Sequence, residues 1–261
     1  MIRPIYRWVI VFSLAGRAVA ADASPDAMLL DRIGQRVKQA WDDLVSVACT
    51  EKLTQEKLDE KGKTVLSSRS TYDYLISLNW DKGQLLVDES RLEVGPPQKK
   101  RPESALLATR GFATLLLIFH PEFHSSYHFT FLPEEDVAGR KLSRVSFLPL
   151  NGARSPGVME LKGHEYPIAW EGTAWIDPST ASVVRIQAHW KEPAQELGLE
   201  TLLSDVHYTG VPLHGNRAYW LPDSALIEVK TRHQHWRNSH QFEHYKLFSV
   251  EADSELKEVH K

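Results

Sequence analysis

The stretch WEGTAWIDPSTASVVRIQAHW, Trp170 to Trp190, reads as one β-hairpin. Successive side chains on a strand point to opposite faces, so a period of two sorts the first arm. Trp170, Gly172, Ala174 and Ile176 fall on one face, and Glu171, Thr173, Trp175 and Asp177 on the other. Asp177-Pro178-Ser179-Thr180 supplies turn chemistry. The returning arm then places Val184, Ile186, Ala188 and Trp190 inward, with Arg185, Gln187 and His189 outward. Trp175 and Val183 are the apolar residues left on the outer face, where they pair across strands or meet another layer.

The same period extends in both directions along the chain. Tyr72, Tyr74, Ile76, Leu78 and Trp80 form the apolar face of an earlier strand. Asp81-Lys82-Gly83 turns it, and Gln84 to Val94 returns. Further strand-like runs lie at Tyr127 to Leu132, Leu142 to Leu150, Thr201 to Tyr208, Ala225 to His235 and Phe242 to Val250. Turn residues separate these runs without helices between them, which predicts an antiparallel meander rather than βαβ units. Two helices interrupt it. Ser24-Pro25-Asp26 is cap chemistry, followed by Leu30, Ile33, Val37, Trp41 and Leu44 at helical spacing. A second helix is predicted within Glu103 to Phe119, ending before Pro121 and apolar nearly all round at Phe112 to Phe119. Gly95 to Pro102, with three prolines and three adjacent cations, reads as a loop. The charged run Glu51 to Lys63 ends in Glu60-Lys61-Gly62-Lys63, which reads as a solvated hairpin tip.

Ahead of all this, Arg3 and Arg7 precede a short apolar run from Trp8 to Gly16, and Ala18-Val19-Ala20 is a small-x-small cleavage signal. That is the layout of a secretory signal peptide, too short to span a bilayer. Cleavage after Ala20 leaves residues 21–261 as a single domain, periplasmic or secreted, with no later segment apolar enough to span. The 31 Lys and Arg against 34 Asp and Glu give no basic excess, so nucleic acid is not an expected partner. Cys49 is the only cysteine. It can form no intramolecular disulfide and reads as a buried small hydrophobe.

Two strings, WEGTAWIDPSTASVVRI (Trp170 to Ile186) and YWLPDSALIEV (Tyr219 to Val229), resemble segments of the LolA/LolB/RseB superfamily. So does the plan of an N-terminal amphipathic helix, a helix inserted after early strands and a long antiparallel series. The resemblance covers roughly Met28 to Val250. It implies an α+β fold, a large curved antiparallel half-barrel with both helices on its concave side. It also implies a periplasmic protein that holds lipoprotein acyl chains or senses envelope lipids and peptides.

A curved sheet with two helices for cover leaves either an apolar hollow or a core the helices fill. Tyr74, Ile76, Trp170, Ile176, Ile186 and Trp190 are the residues that would line such a hollow for a hydrophobic ligand or a lipoprotein acyl chain. They serve equally as ordinary core. An envelope protein or peptide pairing with an open sheet edge is the alternative partner. The third reading is a metal-dependent enzyme. His120, His124 and His128 are spaced by four, but Pro121 and a strand-like Tyr127-His128-Phe129 keep them off one helical face. His233 and His235, on the face of Ala225, Ile227 and Val229, lack a third ligand. Gly152 to Gly157 is no nucleophile elbow, Glu134-Glu135-Asp136 reads as a solvated turn, and Trp236-Arg237 as surface packing. No catalytic residue, metal or cofactor is expected.

Overall fold

The computed structural model of the chain describes residues 24–44, 46–81, 84–95, 113–161, 164–191, 198–214 and 217–247. The predicted signal segment and its cleavage site, most of the 95–102 loop, the turn residues 82–83 and positions 103–112 lie outside them.

Helix α1 (Pro25–Asp43) starts where the cap chemistry places it: the Ser24 hydroxyl accepts from Ala27 N at 3.2 Å. It buries the stripe Ile33, Val37 and Trp41, with Gly34 among them. A Cβ on Gly34 would lie 3.1 Å from the Phe119 carbonyl oxygen, so glycine lets α1 approach the inserted segment closely. The strands follow: β1 (Ser46–Leu58), β2 (Thr64–Asp81), β3 (Gln84–Glu93), β4 (Tyr127–Val137), β5 (Arg140–Pro149), β6 (Val158–Leu161), β7 (His164–Pro167), β8 (Trp170–Asp177), β9 (Ser182–Trp190), β10 (Leu199–His214), β11 (Arg217–Thr231) and β12 (His235–Leu247). Ten of them form one open antiparallel half-barrel sheet in the order β3-β2-β1-β12-β11-β10-β9-β8-β5-β4, and β6 and β7 make a separate hairpin. The strands are antiparallel throughout, as the turn signals predict. The sheet is more than a meander, however, because β12 closes against β1 along Leu58–His235 to Val47–Leu247. That joins the first and last thirds of the chain.

Between β3 and β4, the predicted second helix is a 3-10 helix at Ala113–Phe119, and a single turn, α2 (Pro121–His124), follows it. Leu115 to Phe119 are all buried, as expected of a segment apolar on every side. It packs on α1 and β9, and α1 also touches β9, so both lie on one face of the sheet. Beneath them the core takes its residues from inward positions such as Val145, Phe147, Ala174, Ile186, Val206 and Ile227.

Two sequence expectations are corrected. In the deciding hairpin, Trp175 pairs with Arg185 but Ile176 with Val183, so a β-bulge skips Val184. The extra residue reverses parity. Val183 is the inward, buried residue, and Val184 is half-buried on the outer side. Trp175 does stay outward, held between the guanidinium groups of Arg185 and Arg144, whose carbons lie 4.8 and 5.8 Å from its ring centroid. Second, Ala225 to His235 is not one strand. Thr231 N bonds Gln234 O across a turn, and β12 begins at His235. The solvated tip lies where the sequence places it, within 59–63, where Asp59 Oδ1 accepts from Lys61 N and Lys63 N. Glu51 and Gln55 are buried on β1, since they continue the inward alternation of Val47 and Cys49.

Candidate functional site

Beyond its neighbours the β10–β11 hairpin continues alone. β9 pairs with β10 only as far as His207, and β12 with β11 only from Ser224 onward. The remainder, Tyr208 to His214 with Arg217 to Pro222, is a two-stranded arm. Its tip reaches the C-terminal end of α1, where Arg217 Nη1 pairs with Asp43 Oδ2. Opposite stands the β8–β9 turn. Asp177 Oδ1 accepts from Ser179 N at 3.0 Å and from the Ser179 hydroxyl at 2.6 Å, Arg140 pairs with its other oxygen at 2.7 Å, and Arg32 of α1 donates to Ser179 O at 3.3 Å. Helix, arm and turn thus frame one opening.

Under that opening lies a cavity of about 160 Å³. Val37, Ala40 and Trp41 of α1 form its roof, with Leu116 beside them, and Ala181, Val183 and Tyr219 form its floor. The bulge at Val184 matters here, since it turns Val183 toward the cavity. Its size matches a cavity that admits one benzene-sized apolar group. Among its lining residues, three buried polar atoms have no hydrogen-bond partner: Arg36 Nε, Ser182 Oγ and Trp220 Nε1. The first and last only donate. Apolar walls with a few convergent donors are the usual make-up of a small-molecule site.

Farther along the same face, β1, β3 and β12 bring together Glu51, Arg91 and His240. The fully buried Glu51 carboxylate accepts from Arg91 Nε at 2.5 Å and Nη2 at 3.1 Å, and His240 Nδ1 lies 2.7 Å from its other contact atom, Oε1. An ionised carboxylate only accepts, so His240 Nδ1 carries the proton. Burial pushes the Glu51 carboxyl up, but the bonds from His240 and Arg91 and the Arg91 charge outweigh it and hold it below its ordinary value. Burial holds His240 low against the raising effect of Glu51, so its imidazole is neutral near pH 7. Tyr74 lies under the Arg91 guanidinium, 4.6 Å from ring centroid to Cζ, and the His240 ring stacks on Phe242. Gln55 donates to Asn238 at 3.3 Å beside them. This strip is a polar part of the wall. Burial raises the Cys49 thiol to about 12, which suits a packed side chain and not a nucleophile.

Tyr74, Ile76, Trp170, Ile176, Ile186 and Trp190 all sit in the core cluster at 8% exposure or less, and none lines the α1 cavity. The structure brings them onto one wall but covers them. The cavity residues Arg36, Ser182 and Trp220 went unread in the sequence because they lie on three separate elements. Glu51 and His240 went unread for a similar reason, being 189 positions apart. The histidines disperse. His120 Nδ1 accepts from Glu122 N in the α2 cap, His124 packs 4.9 Å from the Phe129 ring, and His128 is exposed on β4. His233 is in the β11–β12 turn, and His235 Nε2 meets Glu228 at 2.6 Å. Among the described residues no group of three or more His, Cys, Asp or Glu is placed to hold a metal. Glu135 belongs to β4 and not to a turn; it accepts from Trp175 Nε1 at 2.9 Å. Trp236 is buried, and its Nε1 donates to Gln234.

No family model matches the chain, and no curated protein does. Among solved structures it is similar to a DUF1329 family protein from Desulfovibrio piger, with 10% identity, 87% of this chain and 95% of that one covered, and a TM-score of 0.46. It is similar also to a domain from Vibrio parahaemolyticus described as an outer membrane lipoprotein-sorting protein, with 13% identity, 85% and 92% covered, and a TM-score of 0.43. A third is the MucA/MucB complex of Pseudomonas aeruginosa, with 11% identity, 83% and 94% covered, and a TM-score of 0.25.

Proposed function

We propose that this chain is an exported, non-enzymatic binding protein, cleaved after Ala20 and working in the periplasm or outside the cell. It holds a hydrophobic ligand, a lipid or the acyl chain of a lipoprotein, on the concave face of its half-barrel. The observation that carries this reading is the cavity between α1 and the sheet, where Val37, Ala40, Trp41, Leu116, Val183 and Tyr219 face a gap that Arg36, Gln39, Asp43 and Arg217 also line, open between the helix, the β8–β9 turn and the β10–β11 arm. Its volume of about 160 Å³ takes the end of one chain. A longer tail enters only as α1 lifts from the wall. The exposed Arg217–Asp43 pair is a weak latch for that movement. Native mass spectrometry of protein purified gently from the soluble envelope fraction tests the reading. Bound lipid or uptake of acyl probes is the expected result. A bare mass with no uptake refutes it.

Among the described residues β3 and β4 are the edge strands of the sheet, which favours a second reading, in which a peptide or protein partner adds a strand. On β4 the exposed Glu134 and Asp136 guard one end, leaving Tyr127 to Leu132 as the less charged stretch. Pull-down from envelope extracts separates the two readings, because a co-purifying protein without lipid supports only this one.

A further inference from the structure

We infer that the α1 cavity selects a single-chain amphiphile with an oxyanion head, a fatty-acid carboxylate above all, over an uncharged ester of the same chain. This rests on the cavity being a ligand site, as proposed above, and adds the chemistry of its mouth.

Three observations converge there. Arg36 Nε and Trp220 Nε1 are donors with no acceptor, and the Ser182 hydroxyl, on a residue only 2% exposed, has no partner either. Buried donors are nearly always paired, so three unpaired ones around one cavity point to an absent acceptor. The charge at the opening has the matching sign. Arg36 and Arg217 stand against Asp43, and Asp43 is taken by Arg217, which leaves the Arg36 charge uncompensated among the lining residues. Finally, the walls have room for one apolar chain and not two. A carboxylate fits these terms because it offers two acceptor oxygens and a charge next to one narrow apolar slot. An ester has a weaker acceptor and no charge to set against Arg36.

Titration of the full mature chain with cis-parinaric acid and with its methyl ester, followed by fluorescence, tests the inference. The acid is expected to bind at least about tenfold tighter, the scale of one charged hydrogen bond. Arg36→Gln should weaken binding of the acid far more than binding of the ester and so abolish that preference. Trp220→Phe, which keeps the ring and removes the N–H, should reduce it. Displacement of the probe by oleic acid and by oleoyl lysophosphatidic acid distinguishes a carboxylate head from a phosphate one. Equal affinity for acid and ester, or a preference that survives in both variants, overturns the inference while leaving the cavity as a ligand site. Stronger displacement by the lysophosphatidic acid overturns the carboxylate assignment. Binding of neither probe removes the cavity reading itself.

Discussion

Replacing Glu51 by Gln keeps the side chain's shape and removes its charge, and that one change should be costly. Arg91 directs two hydrogen bonds at this carboxylate and His240 a third, all within an inner wall where Glu51 has no exposure to solvent. A Gln amide has one acceptor oxygen. Its NH2 group must face either Arg91 or His240, donor against donor, and the half-buried guanidinium loses its counter-charge. Breaking a buried ion pair from one side costs about 3–5 kcal/mol. Glu89, whose charge also acts on Arg91, keeps the loss toward the lower end of that range. For a domain of this size the loss lowers Tm by about 6–20 °C. Urea unfolding followed by tryptophan fluorescence, with wild type and Glu51→Gln at pH 7.5, measures it. A triple variant, Glu51→Leu with Arg91→Met and His240→Phe, removes the three paired groups together and should recover part of the loss, less what Glu89 gives up when the Arg91 charge goes. If Glu51→Gln loses less than about 1 kcal/mol, Glu51 is paired as weakly as a surface carboxylate and the reading of this strip as buried polar wall is wrong.

The same cluster predicts an acid-sensitive fold. His240 is held below its ordinary value, so its contribution is fully present above about pH 6.5 and is lost as the pH falls toward its folded value. Glu51, also held low, adds a second loss starting near pH 4.5 and below. Urea midpoints should therefore fall from pH 7.5 to 5, and His240→Gln should flatten the upper part of that profile; a midpoint that rises on acidification would contradict both signs. At Gly172 an added Cβ would lie 2.0 Å from Gln187 O and 2.8 Å from Ala188 Cα, both backbone atoms of the paired strand. Gly172→Ala should thus cost at least about 1–3 kcal/mol as β8 and β9 part, and a stability within error of wild type would disprove the hairpin register. Trp190→Ala should cost about 3–5 kcal/mol if its ring is packed core. A loss several times smaller in thermal melts would mean that the ring lines an open hollow instead.

Much of the sheet was legible because its signals are local. The period of two at Tyr74 and Ile76 and along β8, the Asp177 turn and the Ser24 cap each act through neighbours a few positions away, and the chain places them as read. Where one extra residue enters, local reading fails. The bulge at Val184 reverses the inside and outside of Val183 and Val184, and alternation carries no mark of it, since both are valine. The His233–His235 pairing failed because Thr231 to Gln234 turns the chain, and the apolar alternation through Val229 hid the change of strand. Glu51 was read from the charges that follow it. Its position two residues after buried Cys49 was the better signal.

The α+β balance, the antiparallel strands and the amphipathic helix with its cap belong to the sequence itself, because each is encoded within about a dozen consecutive residues. The closing of β12 on β1, the meeting of Glu51 with Arg91 and His240, and the cavity where Arg36, Ser182 and Trp220 converge belong to the tertiary structure. Each joins residues far apart in the chain. Their partners are chosen by register and by the order in which strands lie side by side, and a one-residue shift in either would send the same side chains to the opposite face.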